Sequence, residues 1–132
     1  MQYPVYVQRD SSNVFHGSFP DLPGAEITGN SIGELQRNAQ HAVEVYDGSE
    51  QLIPSPTCDT AELRALEPEG SEGIWLFVNI DMSRVRSNCI GLQVNLNAAL
   101  LEQVNAAARQ RRMTRSGFMT LAVTNELAKY PE

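Results

Sequence analysis

The chain has 132 residues, of which 42% are hydrophobic and 20% are charged, and its formal net charge is −6. This length allows one ordinary domain or two small ones, and the composition is that of a globular protein. No apolar run is long enough to span a membrane, and residues 1–4 do not begin a signal peptide. Two isolated cysteines, Cys58 and Cys89, exclude a disulfide framework and a cysteine-rich zinc site. We therefore expect a cytoplasmic protein with two reduced thiols.

The charges are divided unevenly along the chain. Residues 1–83 contain three basic against thirteen acidic residues, a net charge of −10, whereas residues 84–132 contain seven basic against three acidic residues, a net charge of +4. A need for solubility explains the total but not this partition. Because DNA would attract the C-terminal part and repel the N-terminal part, the division predicts two domains with different partners.

The first domain is predicted to cover residues 1–83, with α+β architecture and the element order β-β-β-α-β. Alternating apolar residues predict strands near residues 3–8, 14–18 and 26–28. A helix then opens on the capping-box spacing of Ser31 and Glu34 and ends near Gly48. Prolines and glycines predict mostly loop over residues 50–73, with one helical turn near residues 61–65. Residues 74–80 alternate most strongly and complete a sheet with one helix across its inner face.

A linker is predicted over residues 84–90, followed by a second domain over residues 91–132 that consists of one strand and two helices. Residues 91–96 alternate between two faces, with Leu92, Val94 and Leu96 on one side and Gly91, Gln93 and Asn95 on the other. Two helical patterns follow, each opened by an N-cap residue, Asn97 and Thr114. Such a segment buries too little apolar surface alone, so we expect two copies to pair their strands about a two-fold axis.

This C-terminal segment resembles the ribbon-helix-helix family of DNA-binding proteins over roughly residues 90–127. The resemblance implies an antiparallel ribbon in the major groove of operator DNA. Its buried face would be Leu92, Val94 and Leu96, its base-contacting residues Gly91, Gln93 and Asn95, and its phosphate-contacting residues Thr114, Arg115 and Ser116. Gly91 has no side chain with which to read a base, and Asn97 stands where the family often has proline.

The N-terminal domain resembles the HicB antitoxin family. The resemblance rests on four stretches, which are Tyr3-Pro4-Val5, residues 17–24 (GSFPDLPG), Thr28-Gly29-Asn30-Ser31 and Ile53-Pro54-Ser55-Pro56. It implies an antitoxin without catalytic activity that silences a small basic ribonuclease toxin, HicA, and represses its own operon. An acidic domain also suits a basic RNA-cleaving partner because opposite charges steer encounter. The aromatic residues Tyr6, Trp75 and Phe77 are the first candidates for the toxin interface. We expect at least one of Trp75 and Phe77 to be buried instead.

Two alternative functions remain open at this point. In the first, residues 1–83 bind a small molecule or metal, and the protein is a ligand-sensing ribbon-helix-helix repressor; the scarcity of histidine and cysteine argues against a nickel-type sensor. In the second, the protein is a weak metal-dependent nuclease, because the HicB sheet resembles a partial ribonuclease H fold.

The carboxylates available to a nuclease would be Asp10, Asp21, Glu34 and Asp47. Their positions in turns and at opposite ends of one helix favour surface charge over a metal site. The two histidines, His16 and His41, are interpreted in the same way as structural or surface residues. No cofactor or metal is expected, and whether dimers pair further into tetramers stays open.

Overall fold

The computed structural model describes residues 1–48, 53–68, 70, 72–85 and 93–130. Within these ranges the strands are β1 (Gln2–Arg9), β2 (Phe15–Ser18), β3 (Glu26–Gly29) and β4 (Ile74–Asn79). The helices are α1 (Ile32–Gly48), α2 (Thr60–Ala65), α3 (Ala98–Gln110) and α4 (Arg115–Ala128). All strand pairs are antiparallel and the sheet order is β3-β2-β1-β4. The mixed α+β class and the element order predicted for residues 1–83 are confirmed, and α2 is the helical turn expected near residues 61–65.

The inner face of the sheet packs against α1. Alternate residues of β1 and β4 point to this face, and one stripe of α1 at a spacing of four residues lies over them. These core residues, all buried, are Tyr3, Val5, Val7, Leu35, Ala39, Val43 and Val78. The alternation in the sequence therefore identifies the buried face of β1 and of the middle of β4, whereas Ile74 at the strand end is 57% exposed.

The start of α1 uses the predicted capping residues. The Ser31 hydroxyl oxygen accepts a hydrogen bond from the Glu34 amide at 3.1 Å. The Glu34 carboxylate accepts a hydrogen bond from the Asn30 amide at 3.3 Å. In a regular capping box the donor would be the amide of Ser31, one residue later. Local polar spacing thus fixes where the helix begins, and the helix start then positions its apolar stripe over the sheet.

The C-terminal helices α3 and α4 pack against each other. Both predicted N-caps are confirmed, because Asn97 Oδ1 accepts from the Leu100 amide at 2.8 Å and Thr114 Oγ1 accepts from the Gly117 amide at 3.2 Å. Among the described helices, none combines the length and apolar character needed to cross a bilayer. Cys58 is a free, exposed thiol, and Cys89 lies outside the described residues.

The segment between the two predicted domains is only partly described. Val85 is buried against the sheet core, so the N-terminal unit includes it, whereas residues 86–92 lie outside the described ranges and with them Gly91 and Leu92. Residues 93–97 belong to no helix or strand. A ribbon takes its hydrogen bonds from a second strand, so pairing between two copies stays a prediction.

Candidate functional site

Three aromatic residues lie together on the outer face of β1 and β4, opposite α1. In the antiparallel register Tyr6 pairs with Trp75, and Pro4 pairs with Phe77. Residues paired in this way point to the same side of the sheet. The Tyr6 and Trp75 rings are 5.0 Å apart between centroids and inclined at 58°. The three residues predicted to contact a toxin are thus neighbours, although the contact itself stays a prediction.

The three rings differ in exposure. Tyr6 is 7% exposed, and its hydroxyl oxygen accepts a hydrogen bond from the Gly73 amide at 3.1 Å. Trp75 is half-buried and donates from its indole nitrogen to Glu67 Oε1 at 2.8 Å. Phe77 is 38% exposed. Phe77 and part of Trp75 are therefore accessible on this face, whereas Tyr6 is buried beside Trp75.

The N-terminus of α4 is docked on the N-terminal unit. Thr114 is fully buried; its amide donates to the Pro20 carbonyl at 3.1 Å, and its hydroxyl donates to the Asp21 carboxylate. Gly117 makes the contact close, because a Cβ there would lie 3.0 Å from the carbonyl oxygens of both Pro20 and Asp21. Thr114 was predicted to meet a DNA phosphate, and in this arrangement it meets protein oxygens.

Arg115 and Ser116 continue the same contact. The Arg115 amide donates to Glu62 Oε1 at 2.5 Å, and the Ser116 hydroxyl donates to the Ser55 carbonyl at 2.8 Å. The Arg115 side chain is exposed and donates through Nε to Asn105 Oδ1 at 2.9 Å. Of the predicted phosphate-binding groups, the Arg115 guanidinium is the one that still faces solvent. The phosphate contact stays a prediction.

Asp21 is the centre of the docking contact. It is fully buried, and its Oδ2 accepts from the Thr57 amide at 2.9 Å while its Oδ1 accepts from the Thr57 hydroxyl at 2.7 Å and from the Thr114 hydroxyl. Burial raises the pKa of Asp21 above its ordinary value, although the hydrogen bonds from Thr114 and Thr57 act in the opposite direction. The interpretation of Asp21 as surface charge is wrong, because the folded chain brings two hydroxyl groups and an amide around it.

The other carboxylates weighed for a nuclease lie apart from Asp21. Asp10 is in the exposed β1–β2 turn, where a 2.7 Å contact with His16 Nε2 lowers the pKa of Asp10. Glu34 and Asp47 lie near opposite ends of α1, roughly 20 Å apart along its axis. Asp47 is buried, which corrects its assignment to the surface. Within the described ranges, no three histidine, cysteine, aspartate or glutamate side chains come together in a metal-binding arrangement.

A basic cluster surrounds the turn between α3 and α4. Its members, all exposed, are Arg109, Arg111, Arg112 and Arg115. Arg109 and Arg115 line a cleft of about 190 Å³ that Asp59 and Glu62 also line. The Arg111 guanidinium lies over the Phe118 ring, 5.8 Å from its centroid. In the described part of the chain, no carboxylate oxygen lies within 4.0 Å of the four guanidinium groups.

Known proteins and protein families are similar to this chain over almost its whole length. The sequence matches the protein-family model described as the HicB-like antitoxin of bacterial toxin–antitoxin systems over residues 3–123. An uncharacterised 14.9 kDa protein from the rep–hol intergenic region of Haemophilus phage HP1 is 24% identical over 134 residues, covering 96% of this chain and 98% of that protein.

Two solved structures are also similar to this chain. The crystal structure of antitoxin HicB3 is 26% identical, covers 96% of this chain and 98% of its own, and has a TM-score of 0.52. A chain of the HicA3 and HicB3 toxin–antitoxin complex is 30% identical, covers 61% of this chain and 99% of its own, and has a TM-score of 0.47.

Proposed function

Because the chain belongs to the family of HicB-like antitoxins of bacterial toxin–antitoxin systems, we propose that it neutralises a small basic mRNA-cleaving toxin of the HicA type and represses its own operon by binding operator DNA. The observation that carries this proposal is the charge division, with −10 on residues 1–83 and +4 on residues 84–132. The acidic part suits a basic toxin, and the basic part suits a phosphate backbone. The antitoxin acts by covering the toxin rather than by catalysis.

The toxin binds the outer face of the sheet. Phe77 and Trp75 supply an apolar centre, which most protein interfaces need because charge complementarity mainly governs association rate and specificity. Acidic side chains lie beside this centre. Glu67 accepts a hydrogen bond from the Trp75 indole nitrogen. Glu26 pairs with Ser18, which pairs with Tyr6, so Glu26 lies on the same face of the sheet as Tyr6. An enzyme surface that binds RNA is basic, so an apolar centre with acidic neighbours fits it.

The C-terminal segments of two chains form a dimer that binds operator DNA. Gln93 and Asn95 are exposed and available to read bases, with Gly91 as the third position of that face. Val94 is 54% exposed and Leu96 is half-buried in the single chain, so both gain burial when a second copy pairs with the ribbon.

The DNA-bound dimer has further support in the two helices. They carry other exposed apolar residues, which are Leu100, Val123 and Leu127. The Arg115 guanidinium supplies a phosphate contact.

Two sets of substitutions in the full chain test whether the two activities are separate. Replacing both Gln93 and Asn95 by Ala should abolish preference for the operator, since each good base contact contributes about 1–3 kcal/mol of discrimination. The same variant should still inhibit the toxin. Phe77→Asp should weaken toxin binding and leave operator binding unchanged. Both affinities are measured with the duplex from upstream of the chain's own gene and the toxin encoded beside it.

Matched controls are available on the exposed side of α1. Gln36→Ala removes a comparable amide, and Val45→Asp adds a charge at a residue that is 56% exposed. Neither should change either affinity. Unchanged operator preference in the Gln93/Asn95 variant would show that the ribbon does not read the bases. Loss of both activities in either variant would show that the assignment to two separate surfaces is wrong.

A further inference from the structure

The polar groups best suited to hold a phosphate at α4 are already occupied by the chain itself. The Arg115 amide and the Thr114 hydroxyl bind the carboxylates of Glu62 and Asp21. Arg109 and Arg115 line a cleft together with two acidic residues, which screen their charge. Two arginines of the cluster, Arg111 and Arg112, do not line that cleft.

We propose that Arg111 and Arg112, in the turn between α3 and α4, form the principal contact of this protein with the phosphate backbone of duplex DNA. This inference rests on the proposed DNA-binding function and names the residues that carry its electrostatic part. Both side chains are exposed, and no described carboxylate forms an ion pair with either of them. Two adjacent unpaired cations on a tight turn can follow a phosphate backbone without reading its sequence.

Arg112 lies at a backbone position that glycine would occupy with less strain. The Met113 amide donates to the Ala108 carbonyl and the Arg112 amide to the Arg109 carbonyl, both at 3.0 Å, which is the hydrogen-bond pattern of a Schellman motif. Arg112 takes the left-handed position of that motif, with φ of 54°, where glycine is the usual residue. A charged side chain at a strained and exposed position favours a role outside the fold.

Arg111 is held in place by an aromatic neighbour. It is the C-cap of α3, and its guanidinium lies over the Phe118 ring of α4. A guanidinium over a ring face is attracted by the ring electrons and keeps its hydrogen-bond donors free at the edge. A competing explanation is that both arginines only stabilise the negative end of the α3 dipole. That explanation requires the fold to weaken when the charge is removed.

Arg112→Gly in the full chain separates these explanations. Glycine relieves the strained backbone and removes the cation, so the thermal midpoint should stay constant or rise while DNA affinity falls. Because the proposed DNA-bound dimer carries each substitution twice, the slope of log Kobs against log salt should become shallower by about 1.8 for this variant, and by about 3.6 when Arg111→Gln is added. For the single variant, the loss of affinity should be roughly twelvefold greater at 50 mM than at 200 mM salt.

The probes are the duplex from upstream of the chain's own gene and a scrambled duplex of equal length. A phosphate contact is lost equally on both. Asn13→Gly is the matched control, because Asn13 also has a positive φ, 62°, in the β1–β2 turn and carries no charge. It should relieve its backbone strain in the same way and leave DNA binding unchanged.

Four results would overturn the inference. A lower thermal midpoint with unchanged affinity and salt slope in Arg112→Gly would make the arginine structural. A loss confined to the operator duplex would make it a base-reading residue. A wild-type protein that binds neither duplex would overturn the proposed DNA-binding function itself. Normal binding by both wild type and variant would instead leave that function standing and overturn only the assignment of Arg112.

Discussion

The N-terminal sheet unit and the C-terminal helices bury their apolar residues in different ways. Tyr3, Leu35 and Val78 of the first are completely buried, whereas Val94 and Leu127 of the second are 54% and 65% exposed. A sheet with a helix across it forms two layers that close around a core. Two helices beside an unpaired segment have no second layer of their own. We therefore propose that the first unit closes its core within one chain, whereas the second gains burial from a second copy.

The contact between the two regions is polar rather than apolar at its centre. The acidic unit holds the start of α4 through the carboxylates of Asp21 and Glu62, which accept hydrogen bonds from Thr114 and Arg115. A helix N-terminus carries partial positive charge, so a carboxylate is the favourable partner there. The basic region is thus attached to the acidic one at the N-terminus of α4, the helix end at which negative charge is stabilising.

A charge at Val94 should have the largest effect on this comparison, because we propose that the C-terminal segment pairs with a second copy. Val94→Asp places a carboxylate in the buried face of the paired ribbon, at a cost on the order of several kcal/mol while it is ionised. We expect the wild type to be at least a dimer at micromolar concentration and the variant to be a monomer, as measured by light scattering after size exclusion.

The control for this experiment is Val45→Asp. Val45 is 56% exposed on α1, close to the 54% exposure of Val94, so the control adds the same charge at a similarly exposed valine away from the ribbon. The oligomeric state should not change in the control. A monomeric wild type would contradict both the ribbon and the proposed mode of DNA binding.

The next largest effect is expected at the docking contact. Asp21→Ala removes the acceptor for three hydrogen bonds, from the Thr57 amide, the Thr57 hydroxyl and the Thr114 hydroxyl. Leaving these buried donors unpaired should lower the free energy of unfolding by about 3 kcal/mol, read from urea denaturation. Asp21→Asn keeps an acceptor and should cost much less. Glu72→Ala, at an exposed acid, is the control, and equal urea midpoints for all four proteins would show that the contact does not stabilise the fold.

The smallest effect is a pH dependence that has opposite signs in two aspartates. Burial raises the pKa of Asp21, so its contribution to stability is complete below the ordinary value of 3.8 and is lost as pH rises through the raised pKa. The hydrogen bond with His16 lowers the pKa of Asp10, so its contribution is present above 3.8 and is lost as pH falls through the lowered pKa.

Urea midpoints over a pH series should show both signs. Relative to Asp21→Asn, the wild type should lose stability as pH rises from about 3.8; relative to Asp10→Asn, it should lose stability as pH falls below that value. Parallel curves for the wild type and Asp21→Asn would show that the Asp21 carboxyl has no raised pKa in the folded protein.

Features that depend on near neighbours along the chain could be predicted from the sequence. The alternation of residues 74–80 gave β4, the spacing of Ser31 and Glu34 gave the start of α1, and Asn97 and Thr114 gave the starts of α3 and α4. These features are set within one strand or one helical turn, where side-chain period and capping chemistry decide the conformation. The family resemblance was also contained in short stretches of sequence.

Which polar residues lie inside the protein depends on contacts between distant parts of the chain. The sequence places Asp21 in a turn, where a carboxylate is usually solvated, and nothing near it signals Thr114, which is 93 residues away. In the same way, Tyr6 and Trp75 become neighbours through the pairing of β1 with β4. A carboxylate is stable inside a protein only where donors converge on it, and those donors come from segments that the folded chain alone brings together.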